Sequence, residues 1–539
     1  MNWNFATIFE SVGDALPDQT ALIQGERVLT WRQLDDRAAR FAAALRAAGL
    51  GTGSKVASYL YNSNEYVEGL LGTFKHRSVP VNVNYRYLEE ELVYLLDNSD
   101  AEALLFHGSL SPQVAKIAGR APKLKLLIQV DDGAPLIEGA VEYGAMLAAN
   151  DPMERIERSG DDYYFLYTGG TTGMPKGVMW RNEDLVGVLG GAVYPLFGEA
   201  MPERSEDAGA IAKRVVDSGR ITVHLPASPL MHGTGAFTSL QALSLGGSIV
   251  TLESRTFDAA ELWRVVQRRR VTQMAIVGDA FAKPMLRALD EAEAEGRPYD
   301  ISSLGLIVSS GVMWSAEVKA QLVAKGNMFL LDSLGSSEAV GMANSMSGPG
   351  TAAATAHFTI GENAKVFTDD GREVTPGSDE VGVLAVGGYI PAGYYKDEAK
   401  SASTFREFQG RRWSVPGDFA TVDADGVITL LGRGSACINS GGEKVFPEEV
   451  EEAVKRHPAV ADALVVGVPD ERFGEAVVAV VGLRDGEHAD AAEIGAALDD
   501  LARYKRPRRV VFVDSVRRGP NGKADYSWAK QVVESSPAS

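Results

Sequence analysis

Along the 539-residue chain, runs with helical spacing of apolar residues alternate with short continuous apolar runs, the pattern of a layered α/β fold. Residues 29–50 begin as the end of a strand and turn into an amphipathic helix, apolar at Phe41, Leu45 and Leu50, that stops at Gly51. Residues 56–63 predict a buried strand, and 91–106 a helix, a turn at Asn98–Asp100 and a second strand. Helix then strand recurs over 257–277, and 301–309 reads as another strand. The stretch 197–220 is charged and weakly periodic, which predicts a surface excursion. No internal repeat or low-complexity tract stands out.

After Leu431 the pattern changes. A strand at 427–433 leads into a short Gly- and Ser-containing segment, and Pro447 opens a helix with Glu448, Glu449, Glu451 and Glu452 in its first turns, where negative charge is favoured. Apolar strands at 461–468 and 476–483 follow, then a helix over 490–504 and a strand over 509–516. Such a unit of about 100 residues is large enough to fold separately. Residues 433–436 (Arg-Gly-Ser-Ala) are suited to a hinge. The expected architecture is therefore α/β: a large N-terminal layered α/β domain with mixed sheets (1–432), the hinge (433–436) and a small mobile α+β domain (437–539).

Composition narrows the class. With 72 acidic and 53 basic residues the chain carries a formal charge of −19, which argues against general nucleic-acid binding and against anionic membrane surfaces. Mean hydropathy is −0.07, and no segment reaches the ~18 apolar residues of a membrane span. The N-terminus lacks the charged and apolar regions of a signal peptide. Cys437 stands alone, which excludes an intrachain disulfide and cysteine-cluster metal sites and suggests a reducing compartment. A cytoplasmic enzyme is expected.

Candidate chemistry starts at residues 163–177, YYFLYTGGTTGMPKG. A buried-strand run, Tyr163–Tyr167, breaks into Thr168, Gly169, Gly170, Thr171, Thr172 and Gly173, closed by Pro175, Lys176 and Gly177. Glycines let backbone N–H groups approach an anion, hydroxyls add donors and lysine adds charge, which together describe a cradle for phosphate oxygens. The P-loop of nucleoside triphosphatases needs Lys followed by Ser or Thr, whereas Gly177 follows Lys176. The segment resembles the phosphate loop of the adenylate-forming superfamily: acyl-CoA synthetases, luciferases and peptide-synthetase adenylation domains.

Four further segments carry the resemblance over nearly the whole chain. In 227–237, His232 falls on the histidine of a Pro-Leu-x-His-x-x-Gly element, which implies a place beside the acyl pocket and a catalytic role. Residues 331–341 resemble a Tyr-Gly-x-Thr-Glu motif, with Leu334 in the aromatic place. The resemblance implies that Ser337 bonds the α-phosphate, that Glu338 holds Mg²⁺ as a hard oxygen ligand, and that Asp332 and Gly335 belong to the ATP site. Gly311 and Val312, in 309–315, match its adenine loop. In 413–433, Asp418 matches a ribose-binding aspartate and Arg433 an arginine beside it, while Asp423, Asp425 and Gly426 read only as a hairpin turn. In 517–526, Lys523 matches the catalytic lysine, with Tyr526 where many members have Arg.

The resemblance implies that a carboxylate attacks ATP to give an acyl-adenylate and pyrophosphate, and that a thiol then takes the acyl group. Ser440, Gly441, Gly442 and Lys444 resemble the loop presented to the pantetheine of CoA. Sixteen residues follow Lys523 without a carrier domain, so free CoA is the expected acceptor. A basic island (Arg503, Lys505, Arg506, Arg508, Arg509, Arg517, Arg518) reads either as a contact for its phosphates or as a solvated charged face. Gly233, Gly235 and Ala236 are expected to leave room for an acyl chain, lined by Ala280, Phe281, Met285, Val312, Met313 and Trp314. The motif order looks most like actinobacterial ligases for fatty acids or steroid side-chain acids. Implied partners are ATP, Mg²⁺, CoA and a small carboxylic acid, without nucleic acid or membrane integration; a homodimer is compatible. Two alternatives stay open: an acyl-AMP ligase serving a carrier protein, and a non-catalytic acyl-adenylate-binding sensor.

Overall fold

In the computed structural model, the alternating runs become parallel strands with helices between them. It describes residues 2–117, 119–170, 173–312, 314–351, 354–378, 380–440, 443–470, 474–498, 501–518 and 523–536, with backbone only at 169, 170, 173, 433, 435 and 444. The chain forms two units. One comprises Met1–Ala354, Gly387–Glu407 and Arg412–Ser414; the other Thr355–Val386, Phe408–Arg411 and Val415–Ser539.

The first unit holds two sheets. In one, Thr20–Gln24, Ser248–Thr251, Val223–Pro226, Gln273–Ile276, Leu306–Ser310 and Phe329–Ser336 lie parallel in that order. Arg27–Thr30 and Ala339–Ser347 fold back antiparallel on its first and last members. In the other sheet the order is Gly393–Tyr394, Gly173–Arg181, Tyr163–Gly170, Val79–Asn82, Lys55–Tyr59, Ala101–His107, Leu126–Val130 and Ala140–Glu142. There the parallel set runs from Tyr163–Gly170 onward, and the first two members are antiparallel to it or to each other.

The expected helix within 29–50 is Trp31–Ala47, capped by Thr30 and Gln33, with Phe41, Leu45 and Leu50 buried. The strand expected over 56–63 ends at Tyr59, because Ser63 caps the helix Asn64–Lys75 that follows. The stretch 197–220 is not merely a surface excursion. Ala208–Asp217 is a helix with Ile211, Ala212 and Val215 buried, and a Cβ at Gly209 would run into the Ser11 carbonyl oxygen.

In the second unit, His357–Ile360, Val427–Arg433, Asp418–Val422 and Gly382–Val386 form an antiparallel series, with Ala364–Phe367 on the last. The 423–426 turn is as expected: the Asp423 carboxylate accepts from the Asp425 and Val427 N–H groups at 3.1 and 2.8 Å. Farther along, Val460–Asp470 pairs antiparallel with Gly474–Leu483. These strands are apolar without alternation because both faces are covered. Val465, Val477, Ala479 and Val481 share a core with Val450, Val454 and Ile494 of the helices Pro447–Lys455 and Ala491–Ala496. Leu464, Val466, Val478 and Val480 meet Ala529 and Val533 of a last helix, Tyr526–Ser535, capped by Asp525. The helix expected over 490–504 is shorter, Ala491–Ala496, with Gly495 weakening its end.

Candidate active site

The phosphate motif is the end of a β-ribbon. Tyr163–Gly170 and Gly173–Arg181 pair with Tyr167 opposite Gly177, Thr168 opposite Lys176 and Gly170 opposite Gly173. The first strand thus runs three residues past the expected break at Tyr167, since glycines accept extended backbone as readily as a loop. Thr171 and Thr172 lie outside the described residues. Gly177 needs to lack a side chain: a Cβ there would sit 2.6 Å from Cε2 of Tyr167. Lys176 Nζ pairs with the Asp397 carboxylate, and this hydrogen bond is the main cause that holds the Asp397 carboxyl below its usual range. The other oxygen of Asp397 caps the helix Glu398–Thr404 by accepting from Lys400 N–H at 2.9 Å.

Two asparagines, Asn82 buried and Asn62 half-buried, bring the His232 segment beside this ribbon. Asn82, at the end of Val79–Asn82, accepts from Tyr167 N–H (2.6 Å) and donates to Tyr167 O (2.8 Å) and to Met231 O (2.6 Å). Asn62 accepts from Leu230 N–H (2.7 Å) and donates to Pro226 O and Ser228 O (2.9 and 3.1 Å). His232 precedes the helix Gly233–Ser244 at its N-cap, in extended conformation. Gly235 does not open a pocket as expected: a Cβ there would lie 2.5 Å from Pro229 O and 2.8 Å from Ser228 O. Phe281, Met285 and Trp314 are built into the core under the first sheet, and Met313 is outside the described residues.

Glu338 sits at the tip of the hairpin between Phe329–Ser336 and Ala339–Ser347. Its Oε1 accepts from the Tyr394 hydroxyl at 2.7 Å, and its carbonyl accepts from Ser414 Oγ at 2.6 Å. The carbonyl of Ser337 accepts from Trp180 Nε1 at 3.0 Å. Trp180 and Tyr394 lie on Gly173–Arg181 and on the strand paired with it, so the carboxylate tip and the phosphate ribbon are held in one frame. Gly311 has φ +93°, a conformation that favours glycine, and Val312 packs against the core. Asp332 is buried and bonded to Lys319 Nζ at 2.8 Å; burial outweighs the lysine and raises its pKa. Gly335 lies within the same strand as Asp332.

The second unit holds the remaining candidates. Asp418 and Arg433 are cross-strand partners in the hairpin Asp418–Val422/Val427–Arg433, and Asp418 is buried. Ser440 is the buried end of Ile438–Ser440, opposite Glu443, and Lys444 lies in the next strand; Gly441 and Gly442 fall outside the described residues. Lys523, half-buried, is followed by Ala524, which bridges to Arg518, and by the helix Tyr526–Ser535. The basic residues do not form one free face. Lys505 bonds Glu449 at 2.6 Å, Arg518 bonds Asp462 at 2.6 Å, and Arg506 and Arg509 donate to the carbonyls of Leu501 and Val533.

The family described as AMP-binding enzyme matches residues 9–395, and its C-terminal domain matches 449–523. The chain belongs to the AMP-binding enzyme family. It is 45% identical to a 3-oxocholest-4-en-26-oate–CoA ligase of Rhodococcus rhodochrous, over 100% of this chain and 97% of the relative. It is 43% identical to a medium/long-chain-fatty-acid–CoA/3-oxocholest-4-en-26-oate–CoA ligase of Mycolicibacterium smegmatis, over 100% and 98%. Among solved structures, ATP-bound MatB from Rhodopseudomonas palustris is similar with a TM-score of 0.80 and 25% identity, over 99% of both chains. The anthranilate CoA ligase AuaEII in complex with anthranoyl-AMP has a TM-score of 0.83 at 23% identity, over 99% of this chain and 98% of that one, and shows the fold. The expected adenylate-forming resemblance is thereby borne out.

In this AMP-binding enzyme, motif reading missed the residues that hold the motifs: Asn62, Asn82, Trp180, Tyr394, Asp397 and Ser414. A polar residue at the end of an apolar strand, as at Asn82, is a weak local signal of such a role, because burial demands a partner. Among the described residues there is no group of three or more His, Cys, Asp or Glu able to hold a metal, and no helix long and apolar enough to cross a membrane.

Proposed function

We propose that this enzyme is an acyl-CoA ligase that activates an apolar carboxylic acid with ATP and passes the acyl group to CoA. The acid is a medium- or long-chain fatty acid or a steroid side-chain acid, the class named for relatives alike over the full length. The observation that carries the reading is the common frame of Lys176 and Glu338, a cation and a carboxylate on two hairpin ends joined through Trp180 and Tyr394. That arrangement suits a polyphosphate accompanied by a divalent cation.

In the first half-reaction a carboxylate oxygen of the acid bonds to the α-phosphorus of ATP while the bond to pyrophosphate breaks, giving an acyl-adenylate. In the second, the sulfur of CoA bonds to the acyl carbon, AMP leaves, and the thiol gives up its proton. No protein nucleophile is needed, so the chain's task is to position and neutralise charge. Residues Thr168 to Gly173 and Lys176 hold the β- and γ-phosphates. Gly311, Val312, Asp332, Gly335 and Ser337 frame the adenine and α-phosphate, Asp418 and Arg433 the ribose, and His232 the acyl group. Ser440, Gly441, Gly442 and Lys444 meet the pantetheine. Lys523 contributes positive charge between carboxylate and α-phosphate, and residues 433–436 act as the hinge between domains 1–432 and 437–539.

The donor fits magnesium: Glu338 would hold the ion through a hard carboxylate oxygen beside the bound polyphosphate. When bound, the ion neutralises phosphate charge. The cytoplasm is the proposed setting, in keeping with one cysteine and a charge of −19.

The test is release of pyrophosphate over acids from acetate to long-chain and steroid side-chain acids, followed by CoA-dependent release of AMP and thioester. Lys523→Ala should slow the first half-reaction by about a hundredfold or more, the worth of one preorganised donor, yet spare thioester formation from supplied acyl-adenylate. Pyrophosphate release at the wild-type rate in this variant, or AMP release indifferent to CoA, contradicts the assignment.

A further inference from the structure

Glu338 is held more closely than a loop carboxylate at a hairpin tip needs to be. Donors from three separate segments converge on residues 337–338: Trp180 on the Ser337 carbonyl, Ser414 on the Glu338 carbonyl, and Tyr394 on Oε1. Among the described residues Oε2 has no hydrogen-bond partner. One oxygen is therefore occupied and the other is presented.

The Tyr394 phenol is itself fixed. Its residue is 6% exposed, and its backbone N–H donates to Ser401 Oγ at 2.8 Å. Gly393 and Tyr394 pair with Met179 and Val178, while Tyr395 N–H donates to Gly177 O at 2.8 Å. The ring lies 5.9 Å from that of Phe405. The hydroxyl that reaches Glu338 thus stands on a strand hydrogen-bonded to the exit of the phosphate ribbon, beside Lys176.

We propose that Tyr394 is a positioning residue that holds Oε1 of Glu338, so that Oε2 alone ligates the divalent cation in register with the phosphate ribbon. A free carboxylate rotates about its terminal torsion and switches between one and two metal contacts. The phenol removes that freedom, so Oε2 is fixed in place before the ion arrives and the cost of ordering the carboxylate is not met on binding. The inference rests on Glu338 being the metal's protein ligand, and the variants below separate the two claims.

Mn²⁺ serves as probe, with its affinity read by electron paramagnetic resonance in the presence of a non-hydrolysable ATP analogue. Tyr394→Phe should weaken Mn²⁺ binding about tenfold, the scale of one hydrogen bond to a charged group, and leave analogue binding in chelator unchanged within about twofold. Glu338→Gln should weaken Mn²⁺ at least as much, and adding Tyr394→Phe to it should cost nothing further, because the phenol acts only through the carboxylate. If Tyr394→Phe does not fold, Ser414→Ala provides the test and should weaken Mn²⁺ by a smaller factor. Wild-type Mn²⁺ affinity in Tyr394→Phe, or additive losses in the double variant, overturns the positioning role. Wild-type affinity in Glu338→Gln overturns the metal-ligand reading itself.

Discussion

Glu451→Gln is expected to flatten the pH dependence of stability in the C-terminal sheet. Glu451 lies on the helix Pro447–Lys455 at 4% exposure, and its pKa is pushed from 4.5 up to about 8. Burial is the main cause and the charge of Glu448 adds to it; Lys455, the Val465 N–H at 3.0 Å and Arg518 oppose. The Tyr526 hydroxyl shares a hydrogen bond with it. Because the folded pKa lies above the unfolded one, the stabilising contribution is complete below pH 4.5 and is lost as pH rises through about 8. One proton corresponds to at most about 1.4 kcal/mol per pH unit, so about 3–4 kcal/mol disappears between roughly pH 5 and pH 8. Glutamine mimics the protonated acid and keeps the acceptor for Val465. Hydrogen exchange of Val460–Asp470 and Gly474–Leu483, corrected for intrinsic rates, should show the wild-type free energy falling over that window relative to the variant. Parallel pH profiles for the two proteins would refute the reasoning.

Two further outcomes follow from the geometry. Gly235→Ala places a methyl group against the Pro229 and Ser228 carbonyls, which accept from the His232 N–H and from Asn62 respectively, so thermal melts should show a loss of about 1–3 kcal/mol and the KM for the acid should rise; unchanged melting and kinetics would show that the loop yields freely. Asp397→Asn removes a half-exposed partner of Lys176, so stability should change by less than about 1 kcal/mol, and ATP should bind up to about fivefold more tightly once its phosphates no longer compete for the ammonium group. A tenfold weaker affinity by calorimetry would instead mean that Asp397 holds the lysine in its working position.

By itself the sequence determined the elements and the chemical vocabulary. The helix Trp31–Ala47 and the strands Val460–Asp470 and Gly474–Leu483 were legible because periodicity and unbroken apolar runs are properties of a single segment. The candidate phosphate, carboxylate and lysine motifs stood out because each is a short string whose residue types suit one task, and the roles proposed for them rest on that resemblance. The helix Ala208–Asp217 was hidden, because its partners lie outside the segment: Ile211 and Val215 share a core with Tyr194 and Leu245, and Gly209 N–H donates to Ser11 Oγ, 198 residues away in sequence. Likewise, nothing local foretold that Gly235 serves close packing of carbonyls rather than an open pocket. The tertiary structure alone decided which side chains hold the motifs. Tyr394 reaches Glu338 across 56 residues, Asn82 reaches Tyr167 across 85, and Trp180 reaches Ser337 across 157. Strand order makes these pairs, and that order is set by the joint burial of two sheets, a property of the whole unit that no single stretch of chain contains.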